Sequence, residues 1–434
     1  MLSDDILKDV ELKKLIEAER TARLDDDFIK SNQLCQTLVK TLYERGDFSN
    51  YLKVMEYLAQ RKNQSREAII SIVKYALNDI LPLQPKEKQV DLLTTVISIT
   101  EGKIFVEQEY SEAVKKMADI LINDGELAKA AKLVQDVQIE AFGSLDRKYK
   151  TQYILYQMQI LLENKDYIRT LIVSNKINRN HLDDEGFEEI KVEFYLLMIK
   201  YHLHEKEYLQ VSKCYKILFD FIKKILKGLE KPEEIPVGAI EGYNNCKNKV
   251  DIRFLFQNYV LFLSICPPEN ETKLMFKELS ENYRKDLDSD ILILNIVMKR
   301  LSDDLIVINP QFLDQFRTFE IFKNEELFQL FRKYWIQHDL LIFEKFYSRI
   351  QLQRMLQMIN VPTLEIENEI ADMVINQYIY AKINRIEQTV NFRKKEEHHD
   401  IINGIKTDLD TVLKNLENTC HLINKEYLKH GIKK

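Results

Sequence analysis

The sequence predicts a mainly α protein: a right-handed α-solenoid of helix-turn-helix repeats, tetratricopeptide- or HEAT-like, followed by a winged helix and one long C-terminal helix. Three observations carry this. Helix breakers are scarce, 10 Gly and 8 Pro in 434 residues, and the prolines fall between periodic segments rather than inside them. Four turns of similar character recur along the first half of the chain. Near the C-terminus the apolar period switches from 3.6 to 2 for one short stretch, then becomes a heptad.

Residues 1–30 read as a charged amphipathic helix and a polar link, Leu24–Asp27, expected to be partly mobile. The repeat region, 31–300, is marked by Glu44-Arg-Gly-Asp-Phe48, Asn123-Asp-Gly-Glu-Leu127, Glu163-Asn-Lys-Asp-Tyr167 and His204-Glu-Lys-Glu-Tyr208. Each is a polar turn, an acid, then a bulky apolar residue that opens the next helix. Their last residues lie 79, 40 and 41 apart, a period of two helices per repeat. A pair of this kind cannot bury its apolar face alone, so pairs stack and leave an extended surface free. Pro82 and Pro85 break the pattern once. A Gly- and Pro-containing stretch at 228–248 reads as a mobile insertion.

Helices at about 270–285, 290–301 and 324–337 lead to the winged helix, 347–392, within a module spanning 301–393. Ile350, Leu352, Met355, Leu356 and Ile359 have helical spacing. Pro362 ends that helix, and Thr363 can cap the next, whose stripe is Ile366, Ile370, Met373 and Val374. Beyond Gln377, Ile379, Ala381 and Ile383 alternate with polar residues, and Thr389, Val390, Asn391 and Phe392 supply a return strand. That strand is expected to offer an open edge to a partner. In the tail, 394–434, Ile402, Ile405, Leu409, Val412, Leu416, Thr419 and Ile423 repeat at alternating steps of three and four. Such a seam suits a bundle with helices of other subunits better than packing on its own domain.

Other function classes are weighed against the charges and motifs. A net charge of −6 gives no basic field for nucleic acid or anionic lipid. The second helix of the winged helix carries Glu365, Glu367, Glu369 and Asp372, which would repel phosphates. His202-Leu-His204, seven residues and Ser212 nearly match a JAMM metalloprotease pattern, but Tyr215 stands where the third ligand, an Asp, belongs. His398 and His399 are adjacent, so their side chains diverge on a helix. The acid runs Asp25–Asp27 and 183–185 read as solvated. No phosphate loop or nucleophile motif is present, and no metal or cofactor is expected. No apolar run approaches the roughly 20 residues needed to span a bilayer, and the acidic start is unlike a targeting peptide. Five scattered cysteines, Cys35, Cys214, Cys246, Cys266 and Cys420, read as reduced and mostly packed, as in a cytoplasmic or nuclear protein.

A helical array ending in a winged helix resembles the PCI proteins of the proteasome lid, the signalosome and a translation initiation factor. Within them, Thr100-Glu-Gly-Lys-Ile-Phe-Val-Glu107, Glu140-Ala-Phe-Gly-Ser144, Asp166-Tyr-Ile-Arg169, Ser174-Asn-Lys-Ile-Asn178 and Phe194-Tyr-Leu-Leu-Met-Ile199 resemble the non-ATPase subunit 12 family of the 26S regulatory particle. Tyr347-Ser-Arg-Ile350, Tyr380-Ala-Lys-Ile383 and Thr419-Cys-His-Leu-Ile423 resemble it too. The wing turn departs from the pattern, with Gln388-Thr389 where the family usually carries a glycine. The resemblance implies a non-catalytic scaffold subunit that assembles through its PCI module and C-terminal helix. Its implied partners are other PCI subunits of the lid, the JAMM deubiquitinase and its MPN partner, the ATPase ring and the core-particle α-ring. A paralogous signalosome subunit is the alternative.

Overall fold

The computed structural model describes residues 10–229, 252–302, 315–392 and 398–429, except 26, 45, 47, 62, 63, 144, 185, 289 and 361. The 228–248 insertion, Cys246, Glu185 and the first residues of the 301–393 module therefore lie wholly or mostly outside the described residues. The chain divides into two compact units, Met1–Tyr259 and Val260–Lys434.

The first unit is built from α1 (Val10–Leu24), α2 (Phe28–Glu44), α3 (Phe48–Ala59), α4 (Arg66–Tyr75), α5 (Lys86–Thr100) and α6 (Glu107–Asn123). It continues with α7 (Leu127–Asp136), α8 (Arg147–Glu163), α9 (Tyr167–Ser174), α10 (Glu188–His204) and α11 (Tyr208–Leu229). Helices pack on their sequence neighbours and on the next but one, as α2 does on α4 and α8 on α10, the contact pattern of stacked repeats. Cys35, Leu38, Leu42, Tyr51, Met55, Val73 and Leu93 form one continuous core. Burial pushes the Cys35 thiol up to about 12 and the Cys214 thiol to about 11, so both are inert packed groups.

The four recurring turns share one backbone device. Gly46, Gly125, Lys165 and Lys206 all take left-handed φ, between 61° and 82°. At the last three, two backbone bonds close a Schellman motif: Gly125 N to Ile122 O with Glu126 N to Leu121 O, Lys165 N to Leu162 O with Asp166 N to Leu161 O, and Lys206 N to Leu203 O with Glu207 N to His202 O. Glu126 and Asp166 sit at the N-caps of α7 and α9, and the Asp166 side chain accepts from Arg169 N. Side chains from elsewhere in the repeats satisfy helix ends as well. Lys103 Nζ donates to Ala59 O, the last carbonyl of α3, and buried Gln157 Nε2 donates to Val134 O and Val137 O at the end of α7.

The structure revises two expectations here. The described part of 1–30, from Val10 on, packs with the repeats: Leu12 belongs to the repeat core, α1 packs on α2, and α2 starts at Phe28. Asp27 Oδ1 accepts from Lys30 N, so the acid caps α2 rather than lying free.

The second unit contains the end of α12 (Ile252–Ser264), then α13 (Asn270–Asn282), α14 (Arg284–Leu287), α15 (Ile291–Leu301), α16 (Glu325–Phe346), β1 (Arg349–Gln351), α17 (Leu352–Ile359), α18 (Thr363–Ile375), β2 (Lys382–Asn384), β3 (Thr389–Asn391) and α19 (His398–Lys429). Ile336, Leu340 and Phe343 of α16 pack into the same core as Met355, Ile359, Ile366, Ile370, Met373 and Val390. The winged helix thus begins with α16, which runs nine residues beyond the expected end at 337. Ile350 is a strand residue, not a helical one, because Tyr347 after α16 is already extended. Pro362, not Thr363, occupies the cap of α18.

Candidate functional site

The sheet order is β1-β3-β2, all antiparallel, with Ile350 and Ile383 both opposite Val390. This overturns the expected open edge at Thr389–Phe392. β3 is the central strand, its ladder is occupied on both sides, and Thr389, Val390 and Phe392 are buried. The outer strands are β1 and β2, and an added strand can pair only there. The wing turn closes through Asn384 Oδ1, which accepts from Ile386 N and Glu387 N, and Gln388 follows at φ 50°, the conformation a glycine would hold without strain. Ile386 at the tip is 96% exposed.

The acids of α18 do not form a free negative face. Arg332 pairs with Glu365 at 2.9 Å, Lys333 with Asp372 at 2.7 Å and with Glu369 at 3.8 Å, and Arg385 of the wing with Glu367 at 2.9 Å. Gln337 Nε2 donates to Glu369 Oε2. Burial pushes the Glu369 carboxyl above its ordinary range, although the Gln337 hydrogen bond and Lys333 pull the other way. Three of the four acids of α18 therefore face α16 and the fourth faces the wing, while Leu364 and Ile375 of α18 stay exposed. Arg332, Lys333 and Gln337, spaced to meet Glu365, Glu369 and Asp372, were not singled out from the sequence; their helical spacing opposite a matching acidic helix is the signal that could have found them.

The C-terminal helix is the opposite case. Ile402, Ile405, Leu409, Val412, Leu416 and Ile423 are each 48–63% exposed, and Thr419 is exposed with its hydroxyl donating back to Asn415 O. Nothing in the described chain covers the seam. Leu413, Cys420 and Tyr427, seven residues apart, widen it on one side. A stripe three positions wide suits a multi-helix bundle rather than a two-stranded coil. The other histidines are local: His202 Nδ1 lies 2.9 Å from Glu207 Oε2, and the His204 ring stacks on Tyr167 at 3.4 Å. The described residues contain no group of three His, Cys, Asp or Glu able to hold a metal. No helix among them is long and apolar enough to cross a membrane.

A repeat array, a winged helix whose acidic helix is paired within the fold and an apolar helix face that no described residue covers define a class of protein that works by joining others. The comparisons narrow that class. The family model described as PSMD12/CSN4, N-terminal, matches residues 11–225, and the PCI domain model matches 311–394. The chain is 25% identical over 430 residues to the 26S proteasome non-ATPase regulatory subunit 12 of Dictyostelium discoideum, covering 97% of this chain and 90% of that one. It is 27% identical to the 26S proteasome regulatory subunit RPN5 of Saccharomyces cerevisiae, over 97% and 92% of the two chains. It is 26% identical to the non-ATPase regulatory subunit 12 homolog B of Arabidopsis thaliana, over 97% of each. The chain belongs to the family of PCI-domain 26S proteasome regulatory subunits numbered 12 or named RPN5.

Proposed function

We propose that this chain is a non-catalytic scaffold subunit of the lid of the 26S proteasome regulatory particle, supporting ubiquitin-dependent protein degradation. The observation that carries the reading is α19, a 32-residue helix whose apolar seam has no cover within the described chain. Burying six such aliphatic side chains against neighbours would contribute at most about 1.5–3 kcal/mol each, ample to hold one subunit in an assembly after ordering costs. The relatives' names, regulatory and non-ATPase, support a role without chemistry of its own. Strands β1 and β2 offer outer edges to the PCI modules of neighbours, and the repeat unit offers its free surface to the JAMM deubiquitinase and its MPN partner, the ATPase ring and the core-particle α-ring. Cytoplasm and nucleus are the compartments that go with this role. The signalosome alternative draws support only from the joint description of the N-terminal family model.

The test is a native pull-down of the tagged full-length chain, with mass spectrometry and a ubiquitin-chain cleavage assay on the eluate. Co-purified ATPases and core-particle subunits, with cleavage abolished by a zinc chelator, are the expected result. A PCI assembly free of ATPases would transfer the chain to the signalosome, and isolation of the chain alone would overturn the scaffold reading.

A further inference from the structure

The second unit also holds a cleft of about 680 Å³, bounded by α13, the end of α15 and α16, and lined by neither the sheet nor α19. Its floor is polar and buried. Arg300 is 9% exposed and donates through Nη2 to Ser264 O, and its own carbonyl meets His338 Nε2 at 3.2 Å. Burial lowers the Arg300 guanidinium to about 10, with the fully buried Asp339 opposing that shift. Arg300 Nε has no hydrogen-bond partner. The walls are apolar, from Phe276, Leu341 and Ile342, and Leu274 stands on the rim. Lys273 and Lys277, one turn apart on α13, flank Leu274, and Lys345 closes the far side. Among the described lining residues Glu344 is the single carboxylate, and its Oε1 accepts from Tyr380 N at 3.1 Å.

We propose that this cleft docks a short acidic-aliphatic peptide segment of a partner protein. The segment's carboxylates would meet Lys273 and Lys277, and its aliphatic side chains would cover Leu274 and enter the wall of Phe276 and Ile342. Charge complementarity selects the sign of the ligand, because the described lining sets Lys273, Lys277 and Lys345 against one carboxylate, Glu344. The alternation of lysine and apolar side chain selects a peptide over a compact anion, which would leave the apolar wall facing water. Exposed lysine pairs alone add little affinity, so the aliphatic contacts must carry it. The inference does not depend on membership of the lid, since it concerns a site that the assembly reading leaves unused.

Fluorescence anisotropy of the full-length chain with a fluorescein-labelled peptide, acetyl-Asp-Glu-Leu-Glu-Leu-Asp, tests it. Saturable binding in the micromolar range is expected, weakening several-fold as salt is raised. The double substitution Lys273→Glu with Lys277→Glu should lower affinity about tenfold or more, with the circular-dichroism spectrum unchanged. Leu274 is 67% exposed, so Leu274→Asp should lower affinity without touching the core and decides the matter if the double variant misfolds. No saturable binding up to about 1 mM, equal binding of a peptide with lysine in place of each acid, or unaltered affinity in the variants would overturn the proposal. Complete displacement of the peptide by an equal concentration of pyrophosphate would make the cleft a small-anion site and overturn it as well.

Discussion

The winged helix and the C-terminal helix both read as partner-binding elements, and the structure treats them in opposite ways. The winged helix pairs its acids and its central strand within itself: α16 and the wing arginine meet the acids of α18, and β1 and β2 close both sides of β3. The seam of the C-terminal helix meets none of the described residues of its own chain, and every residue of it is exposed. The contrast teaches that amphipathic pattern alone does not say which molecule covers an apolar face. In α18 the cover is the neighbouring helix of the same chain. In α19 no described residue of the chain supplies one.

The largest expected effect separates assembly from folding. Leu409→Asp with Leu416→Asp should abolish co-purification with partner subunits while leaving the melting temperature of the isolated chain unchanged, because both side chains are more than half exposed. Loss of helix by circular dichroism in that variant would break the comparison. Val390→Asp should do the reverse. Its side chain is fully buried in the winged-helix core, and an unpaired carboxylate there should cost about 3–5 kcal/mol of stability, measured by urea unfolding.

A smaller effect sharpens the reading of α18. Lys333→Ala removes the cation beside Glu369 and Asp372 and should cost about 1 kcal/mol, the pairs being partly exposed. Glu369 supplies a pH signature of definite sign. Its folded-state pKa is raised, so the folded form holds the proton more tightly than the unfolded chain. Its contribution to stability therefore falls as pH rises from the ordinary carboxylate value through the raised one. Glu369→Gln should flatten that part of the stability–pH curve; an unchanged slope would show that Glu369 does not titrate in the folded state as described. The smallest change belongs to the wing. Gln388→Gly should gain roughly 0.5–1 kcal/mol by relieving a left-handed residue, and a loss instead would mean that the Gln388 side chain has a packing role.

How far the sequence could be read varies with the range of the interactions involved. The four repeat turns were legible because their polar composition, acid and following apolar residue are local. That Lys165 and Lys206 share the left-handed backbone of Gly46 and Gly125 was not, since lysine carries no signal for it. The strand β1 was invisible for a different reason. Three residues show no period, and Ile350 fits a helical stripe as well as a strand. The cleft floor drew no notice because Arg300 and His338 lie 38 residues apart and meet only through packing.

By itself the sequence determined the helical repeat, the winged-helix end and the heptad face of the tail, since each follows from periodicities that neighbouring residues impose on one another. That β3 is central and that the acids of α18 are paired followed from packing alone. The partners in those two cases come from 32 to 42 residues away, apart from the wing arginine and the hairpin strand nearer by, and a strand's place in its sheet depends on which distant segments pair with its edges.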